Sequence, residues 1–259
     1  VPGESVIHTL DARTKILSAF AFIVFVFLIN TYIGYAWMAL GLMIVVAVSG
    51  IPVKYILKGI KPLWLIILIT VVINLFFNQE GEPLVSLWGA TITEGGLRLA
   101  VFMAARLILL ITGTSLLTLT TSPISLTDGL ESLMAPLKAI KFPAHELAMM
   151  MTIALRFIPT LLEETERIMK AQKARGADFE SGRLMQRAKA LVPLLVPLFV
   201  GAFRRADELA LAMEARCYRG GEGRTRMKQL RFERRDLFAA LLLLGWSAIG
   251  IAESYWLMW

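Results

Sequence analysis

Residues 16–50 read ILSAFAFIVFVFLINTYIGYAWMALGLMIVVAVSG, a run that contains no Lys, Arg, Asp or Glu. An uncharged apolar stretch of this kind is typical of membrane-spanning segments, each of which needs about 20 residues. The run is too long for one crossing, and NTYIGY at 30–35 supplies a turn. It therefore predicts two spans, roughly 14–30 and 33–50, and not a signal peptide.

The composition of the whole chain agrees with a membrane location. Of the 259 residues, 57% are hydrophobic and only 18% are charged, whereas charged residues make up about 25% of an average soluble domain. Further apolar runs predict spans at about 62–78, 96–120 and 237–257. The predicted fold class is an all-α integral membrane protein of the cell membrane, with about five transmembrane helices plus long amphipathic helices.

The charges divide the chain into three predicted regions. Residues 1–120 form an N-terminal membrane bundle of four helices, and residues 236–259 form a C-terminal transmembrane helix. The region between them, 121–235, holds most of the Lys and Arg residues, mixed with Asp and Glu. Its apolar residues recur with a helical period, so it predicts long amphipathic helices and not a disordered linker.

Three helices are predicted within residues 121–235, at about 125–137, 145–175 and 183–217. Pro193 and Pro197 are expected to kink or divide the last of them. An apolar stripe marks the second helix, and its members recur at helical spacing: Leu147, Met151, Ala154, Leu155, Ile158 and Leu162. Gly176 is a plausible stop for this helix.

Basic residues beside the spans predict the orientation, because Lys and Arg are enriched on the cytoplasmic side. Arg13, Lys15, the three lysines at 54–61 and the flanks of 121–235 belong on that side. The loop 79–94, with three Glu and no basic residue, faces outward. The N-terminus is then cytoplasmic and the C-terminus lies outside.

Basic residues also occur within or next to the spans. Lys54, Lys58 and Lys61 share a helical face, which suits a short helix on an anionic membrane surface or an ordinary basic loop. Arg98 and Arg106 lie within the fourth span, where an ionisable residue is a functional candidate. They can equally snorkel or pair inside the bundle.

The sequence lacks the motifs of several enzyme classes. No P-loop and no Gly-x-Gly-x-x-Gly occurs, and HELAM at 145–149 has Met149 where a zinc protease has its second His. One cysteine, Cys217, excludes an internal disulfide. Glutamates 163, 164 and 166 suit a solvated helix face. We expect no catalytic residues, metal or cofactor. The net charge of +7 follows from the membrane bias, so we expect no nucleic-acid partner.

Two similar phrases end the two long helices: QKARGAD at 172–178 and MEARCYRGGEGRTR at 213–226. Arg175 and Arg216 each follow an alanine and precede a small residue. A cation at a helix C-terminus complements the helix dipole by about 0.3–1 kcal/mol, which is the structural explanation. The functional explanation is that each planar guanidinium group binds in a carboxylate pocket of a partner protein. Small neighbours allow such a partner to approach closely: Ala174, Gly176, Ala215 and Cys217.

With these motifs the chain resembles the transmembrane T component of energy-coupling factor transporters, the family that includes the cobalt-transport permease subunit. The signature of that family is two Ala-Arg-Gly words, one ending each of two coupling helices. Residues 174–176 match fully, and 215–217 differ at Cys217. The downstream stretch YRGGEGRTR is also similar to the family.

The resemblance implies a coupling subunit of an ABC-type importer of vitamins or metal ions. Two ATPase subunits would dock on the arginine-tipped helices and carry out the ATP hydrolysis. A separate small membrane subunit would bind the substrate. Met149, Met150 and Met151 suit an adaptable surface toward that subunit, although core or lipid-facing methionines are equally compatible. The alternative is a self-contained secondary transporter or channel, which needs ionisable groups along a pathway.

Overall fold

The computed structural model of the chain describes residues 3, 5–78, 81, 83–87, 90–177, 179, 184–220 and 230–256. The α-helices are α1 Val6–Thr9, α2 Ala12–Leu28, α3 Tyr32–Ser49, α4 Val53–Ile60, α5 Trp64–Phe77, α6 Glu94–Thr120, α7 Pro123–Met134, α8 Ala144–Ala174, α9 Leu184–Ala215 and α10 Arg234–Trp256. Short 3-10 helices cover Lys61–Leu63 and Ala135–Ile140.

Three of the membrane helices begin at side-chain caps that the sequence supplies. Asp11 accepts a hydrogen bond from the Arg13 amide at the start of α2. Thr31 accepts from the Gly34 amide at the start of α3, and Thr93 caps α6 in the same way. Each cap satisfies one of the amides that a helix start leaves without an intrahelical partner.

The chain divides into two compact units, Val1–Ser132 with Gln229–Trp259, and Leu133–Lys228. The first unit contains α1–α6, most of α7, and α10. The second contains α8 and α9, which pack against each other. The predicted division at residues 120 and 236 stays a prediction, because compactness by itself does not define which residues lie in the membrane.

Among the described residues, five helices are long and apolar enough to cross a membrane, which agrees with the predicted number. Four of them match predicted spans: Tyr32–Ser49, Val53–Phe77, Glu94–Thr120 and Arg234–Ser254. The set otherwise differs from the prediction. Helix α2, predicted as the first span, has 17 residues and a length of about 26 Å, slightly less than the hydrocarbon core.

Helix α8 is the fifth helix of this set, although its sequence predicts a cytoplasmic helix. Its first half is mostly apolar, with Glu146 and Arg156 as its charged residues, and its other charges lie at or after Glu163. Its length and composition therefore resemble those of a span. Its cytoplasmic position stays a prediction. Helix α9 contains Pro193 and Pro197 and yet is continuous, so these prolines do not divide it.

A small hairpin interrupts the all-α architecture in the loop that joins α5 to α6. Strands β1 Pro83–Leu87 and β2 Ala90–Thr93 pair antiparallel, with Val85 opposite Ile92 and Leu87 opposite Ala90. The sequence interpretation had this stretch as a plain loop. The two strands form a two-stranded sheet, and no other strand of the described chain joins it.

The core of the first unit lies between α2, α3 and α6, with Val26 and Ile29 fully buried. Helix α10 joins it through Trp37 and Trp246, whose rings stack at 4.1 Å. Each indole N–H donates to the other residue's carbonyl, at 3.1 and 3.2 Å. The outward faces remain apolar and exposed, as Phe20 and Leu65 illustrate, which is the surface that lipid requires.

The two ends of this helix bundle are defined by contacts between helix termini. At one end, the Asp11 amide donates to Asp236 and the Lys15 ammonium donates to the Thr120 carbonyl; we name this the Asp11 end. At the other end, the Asn30 amide donates to Ser254. Helix α6 therefore ends, and α10 begins, at the end where α2 begins.

Candidate functional site

The end of α8 folds into a Schellman motif. Gly176 is left-handed, with φ of 87°, and its amide donates to the Lys173 carbonyl at 3.0 Å. The Ala177 amide reaches back to the Gln172 carbonyl, also at 3.0 Å. These two bonds satisfy carbonyls that a helix end leaves open, and a left-handed residue suits glycine. The predicted stop at Gly176 is therefore confirmed, and its physical reason is this turn.

The end of α9 has the same geometry although its sequence lacks the glycine. Cys217 takes the left-handed position, with φ of 57°, and its amide donates to the Glu214 carbonyl at 2.8 Å. The Tyr218 amide donates to the Met213 carbonyl at 3.0 Å. A side chain in this conformation costs about 1–2 kcal/mol. The departure from Ala-Arg-Gly thus changes the energy of the turn and preserves its shape.

Both turns present their arginine to the surroundings. Arg175 and Arg216 are exposed, as are Ala174, Ala215 and Cys217 beside them. Within the described part of the chain, no carboxylate forms an ion pair with either guanidinium. Each guanidinium group therefore keeps its five N–H donors available for another molecule. The described residues explain the shape of the two ends but provide no carboxylate partner for their charge.

Helices α8 and α9 contact each other at the same number of residues before each of the two arginines. Glu164 of α8 forms an ion pair with Arg205 of α9. A Cβ added at Gly201 would lie 2.9 Å from Glu164 Oε1, so the glycine permits this close approach. Glu164 precedes Arg175 by 11 residues, and Arg205 precedes Arg216 by 11 residues. Each arginine thus stands about 16 Å along its helix from the contact.

The two arms beyond this contact are free of helix-breaking residues. Pro159 in α8 and Pro193 and Pro197 in α9 all precede the contact, so no proline interrupts either arm. The ion pair also corrects the sequence interpretation of Glu164 as part of a solvated face, because its side chain is only 26% exposed. The arrangement presents two equal, uninterrupted arms, each with an arginine at its tip.

The predicted methionine surface lies earlier on α8. Met150 and Met151 are exposed and Met149 is half-buried. Farther along the predicted apolar stripe, Ile158 and Leu162 are also exposed, at 49% and 61%. These residues do share a helix, but α9 does not cover them. An apolar stripe that its own chain leaves uncovered indicates contact with lipid or with another protein.

Sequence reasoning missed a buried charged cluster at the Asp11 end. Asp236 is 3% exposed, and its two carboxylate oxygens accept from different amides: Asp11 at 2.8 Å and Glu233 at 2.9 Å. The second bond is one half of a capping box, in which the third helical residue, Asp236, accepts from the N-cap amide of Glu233. The Lys15 ammonium is held by the His8 and Thr120 carbonyls, at 3.0 and 3.1 Å. The signal in the sequence is the pattern ERRD at 233–236.

Arg13 extends this cluster toward α7 and the start of α10. It pairs with Asp11 at 3.1 Å, donates to the Ser132 hydroxyl and lies 4.1 Å from the centre of the Phe232 ring. The cluster therefore connects α2 with the residues on both sides of the 121–235 region. It fixes where that region leaves and re-enters the bundle.

The two arginines of α6 have partners inside the bundle. Arg106 donates to the Tyr35 hydroxyl at 2.9 Å and to Asn30 at 3.4 Å. The guanidinium of Arg98 lies 5.5 Å from the centre of the Phe102 ring. These contacts agree with the structural alternative, pairing within the bundle. Among the described residues, no cluster of His, Cys, Asp and Glu has the form of a metal site.

Comparison with known proteins connects these features. The sequence model of the cobalt transport protein family matches residues 3–227. The chain is 60% identical to the energy-coupling factor transporter transmembrane protein of Thermosediminibacter oceani over 98% of this chain and 95% of that protein. It is 56% identical to the protein of that name in Clostridium kluyveri, over 99% and 95%.

A more distant relative has the same description. The Bacillus subtilis energy-coupling factor transporter transmembrane protein is 49% identical over 96% of this chain and 94% of its own length. The similarity thus includes both arginine-tipped helices and every predicted span. The chain belongs to the family of energy-coupling factor transporter transmembrane proteins.

Proposed function

We propose that this protein is the coupling subunit of an ABC-type importer, in which two ATPase subunits dock on the ends of α8 and α9. The proposal combines the family of the chain with one observation: two matching Schellman turns, each with an exposed arginine that has no carboxylate partner among the residues that the structure describes. In this proposal ATP hydrolysis belongs to the partner subunits.

The docking role follows from the chemistry and spacing of the two arms. An arginine fork suits a carboxylate pocket, and its small neighbours allow the pocket to close around it. Each arm is about 16 Å long from the shared Glu164–Arg205 contact, so two identical or similar subunits would meet equivalent tips. Because the ion pair joins the arms at one point, movement of either tip would be passed to the other helix.

A separate substrate-binding membrane subunit would contact the uncovered apolar stripe of α8. Met149, Met150 and Met151 supply flexible side chains that can adapt to different apolar surfaces. Vitamins or metal ions are the substrate class of this proposal. The 121–235 region would then lie at the membrane face, because its helices expose more apolar surface than a free soluble domain tolerates.

The proposed topology places the N-terminus in the cytoplasm and the C-terminus outside. Contacts at the Asp11 end support it: Thr120 and Asp236, which flank the 121–235 region, both meet residues of the N-terminal segment there. The region would therefore leave and return on one side of the bundle. That side carries Arg13 and Lys15, as the positive-inside rule expects for the cytoplasm.

The test is copurification of the ATPase subunits and substrate uptake for Arg175→Ala, Arg216→Ala and the double variant. Truncating one side of a buried charge pair costs about 2–5 kcal/mol, so each single variant should weaken assembly about 30-fold or more, and the double variant should be worse. Arg→Lys should restore assembly only in part, because a point charge cannot replace the fork. The matched controls are the exposed arginines Arg156→Ala in α8 and Arg204→Ala in α9.

Two results would contradict the proposal. Wild-type assembly and uptake in the double alanine variant would remove the docking role. Under the helix-dipole explanation, lysine would substitute fully and alanine would cost about 1 kcal/mol or less. Uptake by the purified chain alone in liposomes would instead favour a self-contained transporter.

A further inference from the structure

Helix α4 and the 3-10 turn after it present three lysines that no described carboxylate neutralises. Lys54, Lys58 and Lys61 are all exposed, and none forms an ion pair with a described carboxylate. At 100° per residue they fall within a sector of about 60°. Ile56, on the opposite face, is 6% exposed. The helix confirmed here thus has one cationic face and one face packed into the protein.

A polar groove borders the lysine face. A cavity of about 250 Å³ is lined by Tyr55 and Gly59 of α4 and by Thr114, Ser115, Thr118 and Leu119 of α6. The Lys58 ammonium is 5.9 Å from the centre of the Tyr55 ring, so the cation stands beside the groove. Three residues of α6 thus bring hydroxyl groups to the wall of a groove beside the lysine face.

Ser115 is the donor that this groove leaves available. Thr114 and Thr118 donate their hydroxyl protons to carbonyls of their own helix, at 2.8 and 3.2 Å. Ser115 has no such bond among the described residues. A Cβ added at Gly59 would lie 2.9 Å from Ser115 Oγ. The missing side chain of Gly59 therefore lets α4 approach this hydroxyl closely at the wall of the groove.

Helix length and charge predict that the groove lies where lipid headgroups meet acyl chains. Val53–Phe77 forms a helical segment of 25 residues, about 37 Å long, which exceeds the hydrocarbon core of about 30 Å. Helix α5 carries no charge, so α4 is the part that extends into the headgroup layer. Ser115 lies one and a half turns before Thr120, about 8 Å from the Asp11 end.

We propose that the lysine face of α4 and the adjoining groove form a binding site for the headgroup of an anionic phospholipid. The ammonium groups contact the phosphate, with Lys58 nearest the groove, and the Ser115 hydroxyl donates a hydrogen bond to the headgroup. The acyl chains lie along exposed apolar side chains such as Leu57, Leu65 and Ile66. Charge complementarity identifies the ligand, because each lysine near such a surface strengthens anionic lipid binding about five-fold.

The experiment measures which lipids the purified full chain retains. The protein is equilibrated in micelles with equal amounts of phosphatidylglycerol and phosphatidylcholine, and bound lipid is counted by native mass spectrometry. We expect retention of phosphatidylglycerol over phosphatidylcholine by more than ten-fold. The variant K54Q/K58Q/K61Q should reduce this preference to about two-fold or less, and Ser115→Ala should reduce it about three-fold.

A control variant removes the same charge elsewhere. R156Q/K170Q/R204Q changes three exposed cations of α8 and α9 and should leave the lipid preference unchanged. Soluble glycerol phosphate at millimolar concentration should not displace the lipid, since it lacks the acyl chains. Either an unchanged preference in K54Q/K58Q/K61Q or equal losses in both triple variants would overturn the proposal. Displacement by glycerol phosphate would overturn it too, by indicating a free-phosphate site.

Discussion

Removing the Asp236 carboxylate tests the charged cluster at the Asp11 end. In Asp236→Ala, the Asp11 amide loses a hydrogen bond of 2.8 Å and the Glu233 amide loses one of 2.9 Å. Hydrogen bonds to charged groups contribute about 1.5–3 kcal/mol each. Water can reach the Glu233 amide at the start of α10, so the loss of its hydrogen bond should cost an amount near the lower limit of this range. The Asp11 amide is buried and cannot be compensated in this way.

The expected loss in the free energy of unfolding is therefore about 3–5 kcal/mol. Asp236 also acts electrostatically on the buried Lys15 ammonium, as does Asp11, which remains in the variant. Asp236→Asn should cost about 2 kcal/mol, because one amide oxygen can still accept one hydrogen bond.

The assay is thermal unfolding of the purified full chain in detergent, followed by circular dichroism. A loss of 3–5 kcal/mol corresponds to a midpoint lower by about 6–20 °C for a chain of this size. Glu233→Gln is the matched control, because that side chain is 68% exposed and its ion pair with Arg235 is 3.9 Å long; we expect a change within about 0.5 kcal/mol. If Asp236→Ala unfolded at the same temperature as this control, the cluster would not stabilise the bundle.

Three further predictions concern other parts of the molecule. Cys217→Gly should raise the unfolding midpoint by about 2–4 °C, because glycine adopts the left-handed turn without the cost of about 1 kcal/mol that a side chain adds. Gly176→Ala should lower the midpoint by a similar amount. A lower midpoint for Cys217→Gly or a higher one for Gly176→Ala would contradict the shared turn geometry. Trp246→Ala should destabilise the bundle by about 3–5 kcal/mol, measured by the same unfolding assay, while the 88% exposed Trp256 should tolerate alanine. A membrane-impermeant thiol reagent should label Cys217 only from the cytoplasmic side, and a cysteine replacing Ser86 only from outside; labelling of both from one side would reject the five-span topology.

Features that depend on local composition were predictable from the order of the residues. Uncharged apolar runs are long enough to cross a bilayer, and helical periodicity places α8 and α9 close to their observed bounds. The two Ala-Arg words mark the helix ends, because a turn of this type is encoded by a few consecutive residues. The apolar first half of α8 also shows the limit of this reasoning, since composition alone does not separate a span from an amphipathic helix.

Contacts between residues that are distant in the chain depend on tertiary packing. Asp11 and Asp236 are 225 residues apart in the chain, and Trp37 and Trp246 are 209 apart; neither pair has a local signal of its partner. The Glu164–Arg205 contact, which makes the two arginine arms equal in length, depends on how α8 and α9 pack. The contact between Gly59 and the Ser115 hydroxyl likewise cannot be predicted from either segment alone, because burial and hydrogen bonding are properties of the packed chain.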